Sequence, residues 1–189
     1  MNSKRRTILV IQTAFLGDLL LGIPFLKKIR ELWPDCEVDL VCRRGLGSFL
    51  QEANLVDRCY EVTKGEVTKE NRASYSKVKE ELQKNNYDFI FCLHQSVTSA
   101  LLVHSLKAKL KVGFKRWWNW LFFDERVAFS RDLPDPLRQM AILKPVWPEI
   151  EEKNLEFRKN QENWCPTSAT LSLVPEWASP IWEWPLSFQ

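Results

Sequence analysis

Glycine is scarce in this chain, six in 189 residues, and no glycine-rich run follows the first apolar segment. The phosphate-cradling fingerprint of a nucleotide-binding α/β protein is therefore missing, which weakens a flavodoxin-like nucleotide binder as a reading. Five cysteines are present (Cys36, Cys42, Cys59, Cys92 and Cys165), none in a CxxC pair. That speaks against a disulfide or zinc framework and for reduced, buried thiols in a cytoplasmic protein. No apolar run approaches the roughly 18 residues that a membrane-spanning helix needs. The basic leader Lys4-Arg5-Arg6 precedes an apolar run too short for a signal sequence, with no small-residue cleavage site after it. Net charge is only +3, too little to argue for nucleic acid, and no Lys or Arg occurs after Lys159. What remains, 45% hydrophobic and 27% charged residues, is the composition of an ordinary globular protein long enough to bury one core.

The chain is organised around Thr7 to Asp18. Thr7 to Ile11 is apolar and rich in β-branched residues without polar alternation, as in a strand covered on both faces of a parallel sheet. Gln12-Thr13-Ala14 ends it, and Leu16-Gly17-Asp18 opens a helix-spaced apolar segment running to Trp33. Strand, short loop and helix start form the crevice where open α/β sheets bind ligands. Asp18 is thus either a helix cap or a carboxylate placed for chemistry, and Gly17 permits close approach. Pro24 falls inside the helical run and must kink it or mark a late start.

Further along, Glu37 to Cys42 reads as a second strand, with a short helix near Gly47 to Glu52, and Asp57 to Val62 as a third strand. Glu70 to Asn86 reads as a polar helix with Val78 and Leu82 on a narrow buried stripe. Tyr87 to Leu93 is the clearest buried strand after the first. His94-Gln95-Ser96 ends it before an apolar helix, Val97 to Leu106, and Lys111 to Phe114 forms another strand. Alternation of this kind implies βαβ units in a doubly wound parallel sheet. A lone His at a strand end is commonly a turn residue, yet His94 would share a rim with Asp18; His104, amid apolar helix neighbours, reads as structural. Asp132 to Pro136 reads as a turn and Leu137 to Val146 as a last short helix.

Leu16-Gly17-Asp18, Pro24, Leu26 and Trp33-Pro34-Asp35, then Tyr87-Asp88, the strand, the turn and Ser99-Ala100-Leu101-Leu102, then Lys111-Val112-Gly113-Phe114, occur in a telling order. Together, over roughly residues 7 to 145, they resemble the acceptor-side domain of glycosyltransferase family 9, the heptosyltransferases. The resemblance implies a Rossmann-like domain (1–150), the N-terminal half of a GT-B enzyme, followed by a crossover and irregular tail (151–189). It also implies inverting transfer of heptose from ADP-heptose to the lipopolysaccharide inner core, without metal or cofactor. Asp18 would be the general base. Thr13, Ala14, Leu16, Gly17, His94, Gln95, Arg43 and Lys115 would surround the acceptor. The expected location is cytoplasmic, with peripheral contact at the inner face of the inner membrane and no nucleic-acid partner.

The likeness breaks toward the end. Leu171 to Pro175 and Trp184-Pro185-Leu186 resemble the start of a second, donor-binding domain, but Glu176 to Glu183 lacks the small-residue turn and the Lys expected between them. A truncated product, a separately encoded half and a non-enzymatic glycan-binding or partner module all follow as alternatives. Lys115-Arg116-Trp117-Trp118-Asn119-Trp120 mixes cations with aromatics and admits packing, sugar stacking, membrane contact or nucleic-acid stacking.

Overall fold

The structure is a computed structural model describing residues 5–63 and 69–150. Six parallel strands form one sheet: β1 (Thr7–Gln12), β2 (Glu37–Arg43), β3 (Arg58–Val62), β4 (Tyr87–Cys92), β5 (Ala108–Phe114) and β6 (Glu125–Val127). Their order is β3-β2-β1-β4-β5-β6, the doubly wound arrangement whose direction of winding reverses between β1 and β4. In register, Val10 lies between Leu40 on β2 and Phe91 on β4.

The unbroken apolar run of β1 now has its cause. Ile8 and Val10 enter one core layer, while Leu9 and Ile11 enter the layer on the other side of the sheet. On the first side pack α1 (Leu16–Leu20), α2 (Ile23–Leu32), α3 (Ser48–Glu52), α6 (Asp135–Met140) and a 3₁₀ turn at Ala141–Leu143. On the second lie α4 (Lys69–Leu82) and α5 (Val97–His104). Phe25 of α2 meets Phe91 of β4 edge to face at 5.6 Å, both fully buried, a contact whose truncation to Ala would cost about 3–5 kcal/mol. In α4, Val78 and Leu82 are buried as their spacing required.

Pro24 marks a late start rather than a kink. The run from Asp18 to Trp33 is two helices, with Gly22 capping α2 and Pro24 in its first turn. A Cβ at Gly22 would sit 2.9 Å from Gln139 Oε1 of α6 and 3.2 Å from the Leu19 carbonyl, so the two helices meet closely there. α2 stops at Trp33, which stacks on Phe89 at 5.0 Å, ahead of Pro34. Three expectations shift. The last helix begins at Asp135, inside the segment read as a turn, because Pro136 fits a helical first turn. It gives way to the 3₁₀ turn after Met140 instead of running to Val146. β6 went unanticipated: three residues, two of them charged and exposed, carry no periodic signal. The expected strand at Leu155 to Phe157, the tail and Cys165 lie outside the described residues. Among those described, no helix is long and apolar enough to cross a membrane, and the four cysteines are free thiols.

Candidate functional site

The switch point between β1 and β4 opens a cleft of about 250 Å³ at the carboxyl ends of the strands. Its walls come from three places far apart in sequence: the β1–α1 loop, the β4–α5 turn, and residues 114–139.

Asp18 lines this cleft, half-buried, in the first turn of α1. It is the third helical residue rather than the cap: Phe15 occupies the cap position, and its N–H donates to Asp18 Oδ2 at 3.2 Å. The Asp18 carbonyl accepts a bond of 3.1 Å from Gln139 Nε2, and Gln12 Nε2 donates to Gln139 Oε1 at 3.5 Å. A chain of amides therefore ties the Asp18 turn to the end of β1 through α6.

Beneath the cleft, Thr13 is fully buried. Its Oγ1 lies 3.0 Å from His94 Nδ1 and 3.2 Å from Ser99 Oγ, and Ser99 Oγ lies 3.2 Å from that same His94 nitrogen. Ser96 caps α5, accepting from the Ser99 N–H and donating to Ser99 Oγ at 2.9 Å. This knot locks the ends of β1 and β4 together, and the His94 ring nitrogen Nδ1 is engaged in it. Burial pushes the Cys92 thiol up to about 12, against a smaller opposing effect of the His94 backbone, so no thiolate nucleophile forms there near neutrality.

The other sequence-designated residues are dispersed around the rim. Ala14, His94 and Gln95 line the cleft with Asp18. Leu16 and Gly17 are exposed on α1, and a Cβ at Gly17 would meet nothing within 4 Å. Arg43, at the end of β2, places its guanidinium 5.1 Å from the Phe15 ring centre. Lys115 is exposed beyond β5, with its N–H donating to the Val127 carbonyl at 2.8 Å; its neighbour Arg116, rather than Lys115, lines the cleft.

Four polar contributors were not singled out from the sequence as site residues: Gln12, Asp135, Arg138 and Gln139. Arg138 braces the third wall by donating to the carbonyls of Ser130 and Leu133, both at 2.7 Å, and pairing with Asp135. Gln12 and Gln95 each hold a buried side-chain carbonyl oxygen that finds no donor among the described residues. Among the described residues, no group of three or more His, Cys, Asp or Glu could hold a metal ion.

A Rossmann-like sheet with a rim cleft at its switch point is the half-molecule architecture of GT-B glycosyltransferases. Heptosyltransferase WaaC of E. coli, solved with ADP-2-deoxy-2-fluoro heptose, superposes with a TM-score of 0.65 at 21% identity over 75% of this chain and 48% of that one. The family 9 glycosyltransferase of Veillonella parvula DSM 2008 gives 0.68 at 19% identity, over 78% and 42%. The description glycosyltransferase family 9 (heptosyltransferase) matches residues 75–165. Lipopolysaccharide heptosyltransferase 3 of E. coli strain K12 is 28% identical over 135 residues, covering 69% of this chain and 39% of that protein. Over the matched residues the chain is similar to family 9 heptosyltransferases. It spans about two fifths of the length of that curated relative.

Proposed function

We propose that this region is the acceptor-side half of an inverting heptosyltransferase that transfers heptose from ADP-heptose to a lipopolysaccharide inner-core sugar. The observation that carries the reading is Asp18, held at a helix start on the wall of the switch-point cleft that Ala14, His94 and Gln95 also line. In an inverting transfer the acceptor hydroxyl attacks the anomeric carbon from the face opposite the leaving group. The new C–O bond forms as the bond to the diphosphate oxygen breaks, ADP leaves, and the hydroxyl proton passes to a base. Asp18 takes that proton, its orientation fixed by the Phe15 N–H and by the Gln139 anchor on its carbonyl. Gln95, on the same cleft wall, contacts the acceptor sugar. Ala14, Leu16 and Gly17 shape the entrance, while Thr13 and His94 hold the two strand ends in register below it. Arg116, with Arg43 and Lys115 farther round the rim, meets the anionic groups of the acceptor. The donor diphosphate requires cations or helix starts on a facing domain. With a lipid-linked acceptor, the protein works at the cytoplasmic face of a membrane.

The test is a fusion of residues 1–150 to the donor-binding half of a family 9 enzyme, assayed with ADP-heptose and a deacylated core acceptor. Asp18→Asn should cut turnover by about 10²–10⁴-fold, the usual worth of a positioned base. Its thermal midpoint should stay within a degree or two, since Asn keeps an acceptor oxygen for the 3.2 Å bond from the Phe15 N–H. Turnover surviving within a few-fold would make Asp18 a helix-start residue and nothing more.

A further inference from the structure

From Phe89 to Phe123 the chain contains five cations (Lys107, Lys109, Lys111, Lys115 and Arg116) and no carboxylate. The whole protein has a net charge of only +3, so the rest of it is net negative. This basic span ends in a strap, residues 115–124, that leaves the carboxyl end of β5 and returns along the flank of α5 to begin β6. Its inner side is well packed. Asn119 is buried, accepting from the Arg116 N–H at 2.9 Å and donating to the Phe114 carbonyl at 2.8 Å. Trp118 shares a small cavity wall with Ser96 and Ala100 at the start of α5, and Phe122 packs edge-on against His104 at its end. Phe123 closes over Gly113. The strap is therefore a fixed element.

Its outer side is what a folded core has no use for. Trp117 is 91% exposed, Trp120 61% and Leu121 62%, and α5 adds Val97 and Leu101 at 54% and 52%. Lys115 and Arg116 stand exposed beside the tryptophans. Tryptophan prefers the boundary between headgroups and acyl chains, and cations are attracted to an anionic membrane surface. Apolar side chains rimmed by cations on a rigid loop are the chemistry of interfacial insertion. We infer that the strap 115–124, with the outer face of α5, docks this protein onto an anionic phospholipid surface, Trp117, Trp120 and Leu121 entering the headgroup boundary and Lys115 and Arg116 contacting lipid phosphates. The inference stands on this surface alone and does not depend on heptosyl transfer.

The test uses the purified full chain in flotation with vesicles of phosphatidylcholine, with and without about a third phosphatidylglycerol, and no glycolipid. Binding should require the anionic lipid and weaken with salt. A Trp117→Ala/Trp120→Ala/Leu121→Ala triple variant and a Lys115→Glu/Arg116→Glu double variant should each bind at least tenfold more weakly. Lys77→Glu/Lys79→Glu, the same charge change on exposed positions of α4, should bind clearly better than the strap charge variant. Circular dichroism melts check that every variant is folded. Equal loss from both charge variants would reduce the effect to net charge and overturn the inference. So would loss of a dimer by light scattering in the triple variant without loss of lipid binding, which assigns the face to a second copy. Binding to single-stranded oligonucleotide that falls with the strap tryptophans while vesicle binding persists would overturn it too.

Discussion

Asp57 sits just ahead of β3 and joins three elements. Its Oδ2 accepts from the Val38 N–H at 2.6 Å and from Arg30 Nη2 of α2 at 2.9 Å, while Arg5 approaches Oδ1 at 3.6 Å. Arg30 in turn donates to the carbonyls of Leu55 and Cys36. Asp57→Ala strands the N–H of Val38, a fully buried residue, at about 1–3 kcal/mol for an unsatisfied donor. The ion pair adds less, about 0.2–1 kcal/mol, because the Asp57 side chain is about one third exposed and water screens it. The sum is roughly 2–3 kcal/mol, or about 5–10 °C in Tm for a chain of this size. Asp57→Asn keeps an acceptor for Val38 and should lose only the charged share. Burial pushes the Asp57 carboxyl up, but the Val38 N–H and the Arg30 and Arg5 guanidiniums outweigh it and hold it below the usual carboxylate range. A carboxylate so depressed stabilises the fold above the unfolded value of about 3.9, and that share is lost as pH falls through the lower, folded value. Urea melts at pH 7 should therefore separate wild type, Asn and Ala in that order, and the gap between wild type and Asn should close as pH drops below about 4. An Ala variant within about 0.5 kcal/mol of wild type, or a wild-type–Asn gap that persists unchanged into acid, would refute this account of the hub.

Two further outcomes follow from packing. A Cβ at Gly113 would lie 2.6 Å from the Phe123 ring, so Gly113→Ala should destabilise by about 1–3 kcal/mol in denaturant melts, with Phe123→Leu recovering part of the loss; a neutral Gly113→Ala would contradict the contact. Native alkylation at pH 8, followed by peptide mass spectrometry, should label half-buried Cys59, whose thiol is lowered by its contact with Cys42, before Cys36, Cys42 and Cys92, whose thiols burial helps to raise; Cys92 reacting as fast as Cys59 would contradict its enclosure.

Much of the fold was legible because each strand signal is local. Thr7 to Ile11 and Phe89 to Cys92 are apolar on successive residues, and only a strand covered on both faces tolerates that, so β1, β4 and their parallel setting followed from the residues themselves. Leu16-Gly17-Asp18 after such a strand likewise placed Asp18 at a carboxyl-end rim. Helix limits were less legible, because Pro24 and Pro136 fit a first turn as readily as they break an interior.

The cleft itself belonged to the tertiary structure. Gln12 and Gln139 meet across 127 positions of sequence, and Thr13 reaches His94 and Ser99 across more than 80, through side chains that carry no periodicity and no motif. The basic, aromatic run 115–120 could be read from the sequence, but which of its rings would be buried could not. Trp118 and Asn119 turn inward because α5 and the end of β5 offer them partners, and Trp117 and Trp120 are left outside because the same backbone, once anchored at Asn119, points them away. Local chemistry determined the elements, whereas the surfaces they jointly enclose or expose were decided by contacts that exist only after the sheet has ordered its strands.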